Sequence, residues 1–146
     1  MKNKIYKIGG ILLASIPLLF ACEDAVELAT PNVASPVLVV VDGSNFPSDS
    51  DVAVTAKFME LDKSGILDNN VGIDSIPVSD LQISVFVNQT EEVSTAVTDG
   101  EGEAMLNISW QELGLEVPGS GDQVRLEFTG SHKNIPFRKY HTVRVE

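Results

Sequence analysis

Residues 52–58 read Val52-Ala53-Val54-Thr55-Ala56-Lys57-Phe58. Val52, Val54, Ala56 and Phe58 alternate with Ala53, Thr55 and Lys57, a period of two that sends successive side chains to opposite faces of a strand. A helix would repeat every 3.6 residues, so this segment predicts a half-buried β-strand. Working outward, the same alternation recurs in Leu81, Ile83, Val85 and Val87, in Ala104, Leu106 and Ile108, and in Val124, Leu126 and Phe128. Residues 37–41, 93–98 and 137–145 complete a set of seven strands with turn residues between them. The only helical turn expected is 110–113, ahead of Gly114 and the Pro118-Gly119-Ser120-Gly121 loop. Seven short strands with almost no helical pattern predict an all-β chain, specifically a seven-stranded β-sandwich of about 110 residues.

Three segments of this frame resemble the bacterial Ig-like domains of invasin- and intimin-type adhesins. Pro47 ahead of residues 52–62 is similar to that family's second strand. Ile76-Pro77-Val78-Ser79-Asp80-Leu81-Gln82-Ile83-Ser84-Val85 resembles its P-V-x-G-V-x-V-x-F segment, and Thr98-Asp99-Gly100-Glu101-Gly102-Glu103-Ala104 its T-D-A-x-G-x-A turn. The resemblance covers residues 36–130 and implies an Ig-like sandwich. The chain departs from the pattern at Asp80, where glycine is usual, at Gly100 in place of alanine, and in a longer insertion at residues 63–75. Independently of any family, Asp99-Gly100-Glu101-Gly102 supplies glycines able to take φ > 0 between two strands.

The first residues carry an address. Lys2, Lys4 and Lys7 precede an apolar run at 8–20 that is too short to span a bilayer as a permanent helix and is followed at once by acidic residues. Leu19-Phe20-Ala21-Cys22 resembles the lipobox of bacterial lipoproteins, which implies cleavage before Cys22, the single cysteine, and its acylation with palmitate-type chains. Several acyl chains on one residue make a durable anchor where one alone would be marginal. Glu23 and Asp24, leading into Ala25-Val26-Glu27, resemble the acidic export signal of Bacteroidota surface lipoproteins. The expected organisation is a signal peptide at 1–21, a lipidated tether at 22–35 and an Ig-like β-sandwich domain at 36–146. The expected location is the outer membrane, exposed at the cell surface.

Charge narrows the partners. The chain carries 21 Asp+Glu against 10 Lys+Arg. Three of the lysines lie ahead of Cys22, so the mature chain would hold seven basic residues against 21 acidic ones, a net charge of −14. Such a charge disfavours nucleic acid and anionic lipid surfaces while keeping a tethered domain soluble. With one cysteine, itself the acylation site, no internal disulfide is available.

No catalytic constellation is legible. His132 and His141 are the only histidines, and the nucleophile elbow, the HExxH motif and the Gly-rich phosphate loop are all absent from the sequence. No catalytic residue, cofactor or metal site is expected. Residues 62–74 are rich in the oxygen ligands calcium takes but lack the EF-hand spacing. Asp99, Glu101 and Glu103 read as solvated turn acids, and Asp74-Ser75-Ile76 resembles the short O-glycosylation acceptor of Bacteroidota exported proteins.

Binding residues are therefore sought on long loops and outward aromatics. Asp68, Asn69 and Asn70 in the insertion and outward-alternating Phe86 are the candidate partner contacts. Phe86, Trp110 and Tyr140 are the candidates for a glycan platform, with Trp110 as a cap on the core being its other reading. The function expected is that of a lipid-anchored, non-enzymatic accessory subunit docking on a neighbouring outer-membrane protein. A surface glycan-binding lipoprotein is the alternative.

Overall fold

In a computed structural model, the structure describes residues 34–146; the expected signal peptide at 1–21, Cys22, Glu23, Asp24 and the expected tether up to residue 33 lie outside the described residues. Nine strands follow in order: β1 Leu38–Asp42, β2 Asn45–Phe46, β3 Val52–Asp62, β4 Asp74–Pro77, β5 Gln82–Val87, β6 Glu91–Val97, β7 Glu103–Ile108, β8 Gln123–His132 and β9 Ile135–Val145. The described residues are all β, in two sheets.

The alternation at residues 52–58 sets the centre of the first sheet. Val52, Val54, Ala56 and Phe58 are fully buried, while Ala53, Thr55 and Lys57 face outward. β1 pairs antiparallel with β3 over Thr55 to Met59, β7 over Val52 to Lys57, and β4 over Met59 to Asp62. Because Met59 faces both β1 and β4, and Thr55 faces both β1 and β7, β4 and β7 lie end to end on the same side of β3. The second sheet runs β2-β9-β8-β5-β6; β2 pairs parallel with β9, and the remaining pairs are antiparallel. The inward sets of both sheets merge in one apolar core, with Phe58 of the first sheet and Phe137 of the second 5.8 Å apart, ring centre to ring centre.

The expectation of seven strands is corrected to nine. The additions are β2 and β4, and neither carries a hydrophobic period. β2 is two residues long, with Phe46 alone partly buried against the core, and all four residues of β4 are exposed, so neither has enough buried side chains to show a strand pattern. Only the end of the 63–75 insertion, Asp74 and Ser75, joins the hairpin with β3, Asp74 pairing with Asp62; residues 63–73 form the loop between the two strands. Residues 110–113 form a turn and no helix. Ser109 and Glu112 bond reciprocally in capping-box fashion, Ser109 Oγ and N at 2.7 and 3.0 Å from Glu112 Oε2, but Gly114 at φ +87° ends the turn at once.

Two connections between the sheets are clipped together by Thr98, only 3 % exposed. Its Oγ1 donates to Val78 O at 2.6 Å and accepts from Leu81 N at 2.9 Å. Its backbone N and O bond Leu81 O and Asp80 N at 3.1 and 3.0 Å. Asp80 occupies the bend at φ +55°, a left-handed conformation that aspartate tolerates better than most side chains. That explains how the chain manages without the glycine usual in the resembling family.

Asp99 organises the following turn. Its Oδ1 accepts from Glu101 N and Glu103 N, both at 2.9 Å. Those amide bonds, the one from Glu103 foremost, hold its carboxyl below the ordinary value of 3.8. With the folded value depressed, the contribution is present above the ordinary range and disappears as pH falls through the folded one. Thermal melts should accordingly show a stability loss below about pH 4 that Asp99→Asn reduces; an unchanged acid limb in that variant would show that this turn is not a source of it.

Candidate functional site

The outward face of the five-stranded sheet brings together arginine, glutamate and aromatic side chains. On β8, Leu126 and Phe128 point into the core, so Arg125, Glu127 and Thr129 point out. Register places Phe86 of β5 and Tyr140 of β9 directly opposite Glu127 on its two sides. Cross-strand neighbours of this kind touch. Glu127 is thus enclosed by its neighbours on an outer face, its side chain only 5 % exposed.

The enclosed carboxylate is half satisfied. Arg138, diagonal to it on β9, brings Nε to 2.7 Å from Glu127 Oε1, while Glu127 Oε2 is buried without a hydrogen-bond partner. Arg138 also donates to the Tyr140 hydroxyl at 3.3 Å, and the Arg125 guanidinium lies over the Tyr140 ring at 4.8 Å from its centre. Beside the ion pair an open groove of about 470 Å³ runs over Thr129, Gly130, Pro136, Phe137 and Arg138. Next to Phe86, the ladder between β5 and the edge strand β6 shifts register at Val85 and Phe86, a bulge of the kind often found beside sites.

Of the residues singled out in the sequence, Phe86 and Tyr140 meet on this face. Asp68, Asn69 and Asn70 do not join them; they hang from the first sheet on the loop between β3 and β4, exposed. Asp68 Oδ1 caps that loop by accepting from Asn70 N at 2.9 Å, and Asp62 Oδ1 does the same for Ser64 N at 2.8 Å. The loop holds Ile66, Leu67, Val71 and Ile73 out to solvent, Leu67 at 99 % exposure. A cleft lined by Ser35, Pro36, Val37, Leu38, Leu61 and Lys63 puts the start of the described chain beside the root of this loop.

Of the two readings of Trp110, the structure has the cap on the core. Trp110 is 4 % exposed, and its indole donates to Pro47 O at 3.0 Å, which satisfies its one polar atom in the apolar cluster. His132 and Lys133, at the β8–β9 turn, reach Glu60 of β3 at 3.2 and 2.5 Å and tie the two sheets at one end. His141 lies 2.6 Å from Gly43 O. Among the described residues no group of three or more His, Cys, Asp and Glu side chains is placed to hold a metal ion.

Sequence reasoning missed Glu127, Arg125 and Arg138. Their signal was present only in the outward phase of β8 and β9, and an alternating Arg-Leu-Glu-Phe reads as an ordinary solvated face until the register of three strands is known. Compared with known proteins, the chain matches no family model, and neither a curated protein nor a solved structure matches it.

Proposed function

We propose that the protein is a lipid-anchored, non-enzymatic interaction module at the outer membrane, displayed on the cell surface and built on an Ig-like domain. The strand order supports the Ig-like reading. β3 beside β7, and β9-β8-β5-β6 in the other sheet, follow the B-E and G-F-C-C′ neighbourhoods of that fold. The observation that carries the role is the 63–73 loop. It projects four apolar side chains beside the point where the tether joins the domain, and a tether of about 13 residues spans only roughly 20 Å on average. A neighbouring outer-membrane protein is the partner within that reach.

Two variants test this. Cys22→Ala should release the protein from membranes, with loss of the acyl mass at the N-terminus. Removing residues 64–72 and replacing Lys63-Ile73 with Asn-Gly joins the Asp62–Asp74 pair through a two-residue turn, which should keep the fold. That variant should lose a defined outer-membrane protein that the parent co-purifies in mild detergent. Membrane retention of Cys22→Ala, or co-purification unchanged by the loop replacement, would reject the corresponding half of the proposal. A second reading, glycan binding, is favoured by the Phe86, Tyr140 and arginine face of the second sheet.

A further inference from the structure

We infer that the outer face of the five-stranded sheet around Tyr140 is a binding site for a carboxylate-bearing saccharide, a uronate-type glycan. The inference deepens the glycan-binding reading and is independent of the docking loop. It begins with charge. The chain has three arginines, Arg125, Arg138 and Arg144, and all three project from this one face, against a formal net charge of −11 for the whole protein. Glu127 is the acid at the face's centre, and it is held by Arg138. An anionic ligand repelled elsewhere finds two guanidiniums flanking Tyr140 here, and guanidinium groups pair carboxylates through two parallel hydrogen bonds.

Anionic groups alone do not complete the site. Glu127 Oε2 is an acceptor with no donor, in a side chain 5 % exposed, and a second carboxylate cannot supply one. A hydroxyl can. Arg138 keeps Oε1 and is itself 60 % exposed, so the pair sits at the solvent side of the face, and a ligand hydroxyl reaching Oε2 would complete it without breaking the pair. Phe86 and the edge of Tyr140 offer an apolar surface to the C–H face of a sugar ring, and the groove beside Arg138 continues the track for a neighbouring ring. A uronate presents a carboxylate, hydroxyls and an apolar ring face at once. An acidic peptide matches only the arginines.

The test titrates the detergent-solubilised full-length protein with oligouronides from pectate and from alginate, with the same oligosaccharides after carboxyl reduction, and with oligoglutamate. Oligouronides should bind, and carboxyl reduction should weaken binding about tenfold or more. Arg125→Gln, which removes an exposed guanidinium and no partner of Glu127, should cost about tenfold in affinity at an unchanged melting temperature. Tyr140→Ala should weaken both acidic and reduced forms. Failure of both oligouronides and both reduced forms to bind overturns the site and the glycan-binding reading together. Equal binding of reduced and acidic forms overturns the carboxylate site and leaves glycan binding standing. Binding of oligoglutamate in place of oligouronide assigns the face to an acidic peptide and overturns the proposal.

Discussion

Gly102→Val should lower stability by at least about 3 kcal/mol, a fall of roughly 10–20 °C in melting temperature for a domain of this size. Gly102 has φ +74°, a left-handed conformation that a β-branched residue adopts only under strain of about 1–3 kcal/mol. The larger cost is steric. Gly102 sits where β7 and β4 meet end to end along β3, and the stitch there is made by the Phe58 backbone, with Phe58 N donating to Gly102 O at 2.8 Å and Phe58 O accepting from Val78 N at 3.0 Å. A Cβ on residue 102 would fall 2.5 Å from Phe58 O and 3.0 Å from Val78 N, onto the second of those bonds. All the atoms in the way are backbone, so no rotamer change relieves the clash. Gly100→Ala is the control: two residues away, its Cβ meets nothing within 4 Å, and it should melt like the parent. A Gly102→Val protein that melts with the parent would mean that this junction is built differently.

The second large effect is expected at Thr98. Thr98→Val keeps the shape and deletes the hydroxyl that joins Val78 O to Leu81 N, leaving a buried acceptor and a buried donor without partners. At about 1–3 kcal/mol for each stranded group, the loss should come to about 2–4 kcal/mol, read as a shift in the denaturant midpoint at constant slope. Thr98→Ser retains the hydroxyl and loses one methyl, so it should cost about 1 kcal/mol. If the valine and serine variants are equally destabilised, packing rather than the hydroxyl clip holds the two connections.

These two positions show what was legible in advance and why. The Thr98 to Ala104 segment and the Ile76 to Val85 segment each stand out in the sequence, the first by its glycines and acids. That they bind each other, through one hydroxyl across twenty residues, is invisible until the sheets are assembled. Asp80 reads as a departure from a glycine pattern; the left-handed φ at that position makes it a tolerated substitute. Trp110 was open between two roles because a tryptophan after a strand end can face either way. The carbonyl of Pro47, 63 residues distant, decides for the core.

For the binding face the gap is wider. Phe86 and Tyr140 could be placed outward from the phase of their own strands, but Glu127 could not be told from a solvated acid. Its enclosure depends on β5 and β9 flanking β8 in one register, and a slip of one residue would send Phe86 and Tyr140 to the other face.

The sequence by itself determined the all-β character, because side-chain alternation is a local property, written residue by residue wherever one face must be buried. It also determined the acidic balance of the chain. Tertiary structure alone decided the two additional strands, since β2 and β4 are held by backbone bonds to distant partners and carry no pattern of their own. It alone decided that three arginines, two aromatics and a half-paired carboxylate share one surface, because cross-strand neighbours are set by pairing register, to which residues some forty to sixty positions apart contribute jointly.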